Sequence, residues 1–390
     1  MQKVRLGIIG IGNMGSSHAK SIVKGNCPDL VLTAVADTNP DRLEWARETL
    51  GEDVARFDNA IEMLDSGLID ACLVAVPHFD HPTLAIACLE RGIHTLVEKP
   101  AGVYTKQVEE MNRAADAHPN VVFGMMFNQR TNHIYRKMKE LVASGKYGNI
   151  HRVNWIITNW YRPQFYYDSG AWRATWSGEG GGVLLNQCPH QLDLLQWICG
   201  MPTKVQAHLH YGKWHDIEVE DDVTAYLEFE GSATGVFVTT TGDACGTNRF
   251  EIQMDGAKLV AENDELKVIE FAVSEPEFRR TTTNPFGVPD TKEIAVETDG
   301  ENPQHAGVLN AWAGAILRGE PLVADGREGI NGLTLSNAMH LSSWLGRMVE
   351  VPFDADLYYS ELQKRVAASR RKVGVKSVIA DTEGSYAGTK

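Results

Sequence analysis

Over the first 124 residues short apolar runs alternate with stretches of helical period, the rhythm of βαβ units winding into a parallel sheet. The pattern predicts strands over 4–9, 30–36, 54–57, 71–76, 94–98 and 121–124, and helices over 16–23, 40–50, 60–64, 82–91 and 105–117. Asn39 before Pro40 reads as a helix start, since proline at the first helical position lacks only an N–H that would have no partner there. Six strands with crossovers make a doubly wound Rossmann domain, expected over 1–125. Beyond residue 150 the period falls to two over 151–159, 204–210, 222–230, 233–241, 249–254 and 258–262, which favours antiparallel sheet. Asp255-Gly256 reads as a type I′ hairpin turn, which needs positive φ at both central residues. Helical period returns over 304–318, 326–348 and 355–371. The fold class is therefore α/β, with a second domain over 126–375 and a polar tail over 376–390 that is expected to be mobile.

A chain of 390 residues exceeds one core of ordinary size, in keeping with two domains. Apolar residues at 43% and charged residues at 23% match globular averages and argue against disorder and membrane insertion. The 37 Lys and Arg against 51 Asp and Glu leave a charge of -14, which repels a phosphate backbone and argues against nucleic acid as a partner. Cys27, Cys72, Cys88, Cys188, Cys199 and Cys245 are scattered, with no CxxC pair, so reduced thiols are expected and no metal is implied. The apolar run at the start is too short for a signal peptide, and no run of about 18 apolar residues offers a membrane span, so a cytoplasmic location is expected.

Gly10-Ile11-Gly12-Asn13-Met14-Gly15 satisfies G-x-G-x-x-G between a strand and a helix. In that context Gly10 permits the tight turn, Gly12 the approach of a pyrophosphate, and Gly15 the close packing of helix on strand. The second strand runs into Asp37, about 20 residues on, where a carboxylate accepts the adenosine ribose hydroxyls and repels a 2′-phosphate. NAD is thus favoured over NADP, although Arg42 and Arg47 follow and a solvated acid fits the same place. Val76-Pro77-His78-Phe79-Asp80-His81 and Glu98-Lys99-Pro100 close the fourth and fifth strands, at the sheet edge where ligands bind in open α/β folds. Lys99 there needs Glu98 or a substrate oxygen as partner, unless it is simply a solvated loop residue.

These motifs, in this order and spacing, resemble the Gfo/Idh/MocA family, named for glucose–fructose oxidoreductase and inositol dehydrogenase. The resemblance covers the Rossmann half. It implies a second α/β domain built on a large, open, mostly antiparallel sheet. It places Lys99 beside the nicotinamide and the reacting hydroxyl, and gives Asn13, Met14, Val76, Pro77, His78, His81, Glu98 and Asn128 as cofactor neighbours. An open sheet with an uncovered apolar face predicts a homodimer or homotetramer built on that face.

After Gly180, Gly181 and Gly182, the stretch 183–195 has helical period, which would put Asn186, His190 and Asp193 on one face. A core histidine satisfied by Asp193 explains the same stripe. The family pattern has an acid where this chain has Asn186, and the resemblance implies His190 as catalytic acid/base. An amide cannot raise the pKa of His190, so the histidine is easier to keep neutral, and Asn186 is left to bond a substrate hydroxyl. Pro189 is expected to kink the helix or shift its start. Arg130 in Phe127-Asn128-Gln129-Arg130, and Arg162, Trp172 and Arg173 in an aromatic-rich tract, are the remaining substrate candidates, although a packed domain seam would use the same aromatics. Together they predict oxidation of a secondary hydroxyl of a sugar, sugar derivative or cyclic polyol, with His190 taking the proton and Lys99 steadying the oxygen. Two rivals stand beside this: an NAD-dependent glycosidase, which would consume no net NAD, and a dinucleotide-binding sensor, which would show no turnover.

Overall fold

The uniformly apolar runs of the first third become strands buried on both faces, as parallel sheets require. In the computed structural model, which describes residues 3–370 with Lys372 and Val375, these are β1 (Val4–Ile9), β2 (Leu30–Ala36), β3 (Ala55–Phe57), β4 (Ala71–Val74), β5 (His94–Val97) and β6 (Phe123–Met125). All pair in parallel, in the order β3-β2-β1-β4-β5-β6. Helices α1 (Asn13–Val23), α2 (Pro40–Leu50), α3 (Ala60–Asp65), α4 (His81–Glu90) and α5 (Thr105–Ala117) make the crossovers. Asn39 caps α2 by accepting from the Asp41 amide at 3.0 Å. The tail expected over 376–390 lies outside the described residues.

The second domain adds α6 (His133–Ala143), β7 (Ile150–Ile157), α7 (Gln164–Asp168), α8 (Pro189–Cys199), β8 (Lys204–Tyr211), β9 (Glu220–Glu228), β10 (Thr234–Thr240), β11 (Asn248–Met254), β12 (Ala257–Glu262), β13 (Glu265–Phe271), α9 (Glu275–Thr281), β14 (Thr291–Ile294), α10 (Gln304–Arg318), α11 (Gly329–Leu345), β15 (Val349–Glu350) and α12 (Ala355–Ala368). Its nine strands run β14-β13-β12-β11-β7-β10-β9-β8-β15 and are antiparallel except for the β7–β10 pair. The inner face buries Trp155, stacked on Phe250 at 4.1 Å between nearly parallel rings, with Phe237 edge-on. Helices α8 and α11 pack together, and α11 lies against β8 of this sheet.

Three expectations change. The hairpin between β11 and β12 forms, but neither Asp255 nor Gly256 has positive φ, and their amides bond the Asn149 and Tyr147 carbonyls. The left-handed pair is instead Asn263 and Asp264, at φ of 53° and 58°, joining β12 to the unpredicted β13. The outer sheet face is mixed rather than broadly apolar. Ile156 and Tyr226 stand exposed, while Arg249, Glu251, Lys258 and Glu262 cover the neighbouring strands with ion pairs.

Helix α10 returns to the first domain. Its Val308, Leu309 and Trp312 share a core with Leu6, Ile8 and Leu96, and Gly124 bridges to Asp325. No helix among the described residues is long and apolar enough to cross a membrane.

Candidate active site

The cofactor edge is set by sterics. Gly10 has φ of +84°, and a Cβ there would lie 2.5 Å from the Ala75 carbonyl oxygen, so only glycine fits the turn. A Cβ on Gly15 would collide with the Gly10 carbonyl, which lets α1 sit close against β1. At Gly12, by contrast, a Cβ would meet nothing within 4 Å, and Gly12 leads into α1 with no side-chain cap and no acid in the first turn, which includes Asn13 and Met14. That open concavity before a helix N-terminus suits a pyrophosphate. Asp37, at the end of β2, accepts from the Ile11 amide at 2.8 Å and the Asn39 amide at 2.9 Å, which fixes its carboxylate beside the glycine turn. Behind it the Arg42 guanidinium bonds the Ile11 carbonyl and lies 4.4 Å over Trp45, so it is turned to the turn and the indole.

Val76 and Pro77 form the rim after β4, and His78 is buried there edge-on to Trp172, 5.6 Å between rings. Burial, with His81 and Lys99 nearby, holds His78 well below the usual imidazole range. His81 is not a free cofactor contact, which corrects the expectation for it. Its two ring nitrogens lie 2.7 Å from the carbonyls of Pro100 and Val76, so it ties the two rim loops together. Asn128 is fully buried, donates from Nδ2 to Gln304, and keeps an Oδ1 with no hydrogen-bond partner among the described residues.

Lys99 occupies the seam. Its ammonium donates to the main-chain carbonyl of Asn186 at 3.1 Å, joining the Rossmann edge to the second domain. Burial lowers its pKa, Glu98 opposes this, and Arg173 and Arg162 add to it. Glu98 is buried, bonded to His18 at 2.6 Å and to the Lys99 amide. Burial alone would raise the Glu98 pKa, but the His18 bond and charge, with His305 and Lys99, pull it down to about 2.

The expected helix over 183–195 starts only at Pro189, which has no N–H to give to a preceding turn and therefore takes the first helical position. Asn186 thus lies in the turn before α8 rather than on one face with His190. Its side chain is committed as well: Nδ2 donates to Glu179 and Oδ1 accepts from Tyr166 at 3.1 Å, so the bond to a substrate hydroxyl assigned to it gives way to a positioning role. His190 is 1% exposed, edge-on to Phe127, and burial with the charges of Lys99 and His305 puts its pKa well below 6.5. Asp193 turns away, to Arg130. That guanidinium makes bonds of 2.8 and 2.7 Å to Asp193 and 2.8 Å to Glu328, which removes Arg130 from the substrate candidates, since its charge is met inside the protein.

The aromatic tract wraps the opposite wall. Arg173 lies 4.6 Å over Tyr166 and 4.7 Å over Trp172, and Arg162 lies 5.2 Å over Tyr166. Four contributors escaped sequence reasoning. Glu179 is a buried acid within the glycine run, bonded by the Ala174 amide, and its pKa is raised by burial. Tyr166 bridges Arg173, Gln187 and Asn186. His18, one helical turn after Gly15, carried a signal as a polar residue on the buried side of α1, whereas His305, 5.2 Å from it at the start of α10, carried none because α10 is remote in sequence.

Two family models match the chain: "Oxidoreductase family, NAD-binding Rossmann fold" over residues 4–125, and "GFO/IDH/MocA C-terminal domain" over residues 135–260. The chain belongs to the Gfo/Idh/MocA oxidoreductases. Myo-inositol 2-dehydrogenase of Thermotoga maritima is 26% identical over 67% of this chain and 75% of its own length. Scyllo-inositol 2-dehydrogenase (NAD(+)) of Bacillus subtilis is 27% identical over 60% of this chain and 66% of its own. Among solved structures, the WlbA dehydrogenase of Chromobacterium violaceum, in complex with NADH and UDP-GlcNAcA, superposes with a TM-score of 0.77 at 27% identity, covering 91% of this chain and 97% of that one. This family oxidoreductase accordingly has a NAD-binding Rossmann domain, and the glycine turn and Asp37 fit that cofactor.

Proposed function

We propose that this member of the family oxidises a secondary hydroxyl of a sugar, sugar derivative or cyclic polyol. The observation that carries the reading is the meeting of Lys99, from the end of β5, with the segment 186–190 of the other domain, through the Lys99–Asn186 bond, with the Lys99 charge also depressing the His190 pKa. Bound NAD supplies the hydride acceptor. His190, buried and held neutral, takes the hydroxyl proton. The Lys99 ammonium uses one of its three donors on Asn186 and offers the others to the oxygen as it becomes a carbonyl. Trp172, Arg162 and Arg173 grip the rest of the substrate, and Asn186 with Glu179 and Tyr166 holds the Lys99 anchor in place. The named relatives act on inositols or, in one complex, hold a nucleotide sugar acid, which fits this class.

A panel of inositols, monosaccharides and their derivatives with NAD, followed by absorbance of the reduced nicotinamide, tests the reading. Oxidation of at least one class supports it. No reduction across the panel by enzyme that binds NAD would count against it and favour a sensor, and sugar release without net reduction would favour the glycosidase. Assembly into a dimer or tetramer belongs to the same proposal, resting only on the exposed Ile156 and Tyr226 of the mixed outer face, and a stable monomer in sedimentation would remove it.

A further inference from the structure

Two guanidinium groups line the substrate wall without a carboxylate partner. Among the described residues neither Arg162 nor Arg173 forms an ion pair within 4.0 Å, although the chain as a whole carries a charge of -14. Arg162 spends one N–H on the Tyr161 carbonyl and Arg173 one on the Tyr166 hydroxyl, leaving most of their five donors each. Both are only half-buried, and their planes are held against Trp160, Tyr166 and Trp172, which fixes the forks without consuming them. Tyr166 lies under both and reaches Asn186, whose carbonyl holds Lys99, so three cations gather at one place. The acid facing them, Glu179, is bonded by the Ala174 amide and Asn186, and burial raises its pKa against the pull of Arg173. Glu98 and Glu179 temper Lys99 and Arg173, but among the described residues no carboxylate meets either guanidinium fork within 4.0 Å, so the forks are left to an incoming anion.

We propose that the sugar carries an anionic substituent, a carboxylate or a phosphate monoester, that is held by the paired forks of Arg162 and Arg173. This rests on the dehydrogenase reading of the same site. Rigid guanidinium forks match the two oxygens of either group, and the bond is charge-assisted. The anion also relieves the repulsion that Arg162 and Arg173 impose on Lys99, so the ammonium is kept charged when substrate is present.

The test titrates the NADH complex, by nicotinamide fluorescence, with matched sets: glucose, glucuronate and glucose 6-phosphate; galactose, galacturonate and galactose 6-phosphate; myo-inositol and its monophosphate. Turnover with NAD is measured in parallel. An acid is expected to bind at least about tenfold more tightly than its neutral counterpart, and that preference to fall by about tenfold in Arg162→Gln and Arg173→Gln, with partial recovery in the lysine variants. Uronates ahead of phosphates identify a carboxylate, and the reverse a phosphate. No acid preferred over its neutral counterpart overturns the proposal, as does a preference that both glutamine variants leave unchanged. If neutral sugars are oxidised and acids are not favoured, the inference fails while the dehydrogenase reading stands. If nothing is oxidised, the dehydrogenase reading fails, and the binding arm still decides whether the arginines select an anion.

Discussion

Arg130 grips Asp193 through two parallel bonds, with side chains 2% and 1% exposed. Removing one partner of such a pair strands a charge in the protein interior, which costs about 3–5 kcal/mol. Arg130→Ala should therefore lower the denaturant midpoint by that equivalent. Arg130→Lys should recover little, because an ammonium cannot make the two-pronged bond. A fully stable Arg130→Ala protein that has lost turnover would return Arg130 to the substrate-contacting set.

Much of the first domain was legible because strictly local rules govern it: the glycine spacing, Asp37 at a strand end, and Lys99 on the rim. The stripe of Asn186, His190 and Asp193 was legible only as a stripe. Periodicity extended the helix back through Pro189; of the two effects expected of that proline, the chain shows the shifted start, and Asn186 falls into the turn. Asp193 read as a partner for His190, but its charge is met by Arg130, 63 residues earlier, and no local pattern encodes so distant a pairing. β13 escaped because the alternation of Glu265–Val268 lasts only four residues before Val268 and Ile269 stand side by side.

Glu98 gives the fold an acid-sensitive joint. Its folded pKa of about 2 lies below the ordinary 4.5, so its contribution is present above the ordinary value and is lost as pH falls from about 4.5 to about 2. A gap of that size corresponds to roughly 3 kcal/mol. Chemical denaturation of wild type and Glu98→Gln between pH 7 and pH 2.5 should show the two stability curves converging in acid. Parallel curves would refute the linkage.

His190 must be neutral to accept a proton, and burial with the charges of Lys99 and His305 depresses its pKa well below 6.5. The acid limb of kcat/KM for oxidation is thus expected below pH 6.5, with the rate flat through neutrality. His190→Ala should cut kcat by about 10²–10⁴, the usual worth of a positioned base. Lys99→Met, which removes a depressing charge, should raise the titration midpoint of His190 in NMR. An unmoved midpoint would separate the two residues.

Asp37 should govern the choice of dinucleotide. In Asp37→Ser the repulsion of a 2′-phosphate is gone, and the ratio of kcat/KM with NADP to that with NAD should rise by about tenfold or more. The variant also loses an acceptor for the Ile11 amide, so its KM for NAD should increase. An unchanged ratio would mean that the ribose lies elsewhere.

The return of α10 has a practical corollary for protein engineering. Val308, Leu309 and Trp312 complete the layer over Leu6, Ile8 and Leu96, so an excised fragment ending near residue 125 would present that greasy strip to water. Chimeras that exchange nucleotide preference between relatives must carry residues 304–318 with the amino-terminal half, even though nearly two hundred residues separate them along the chain.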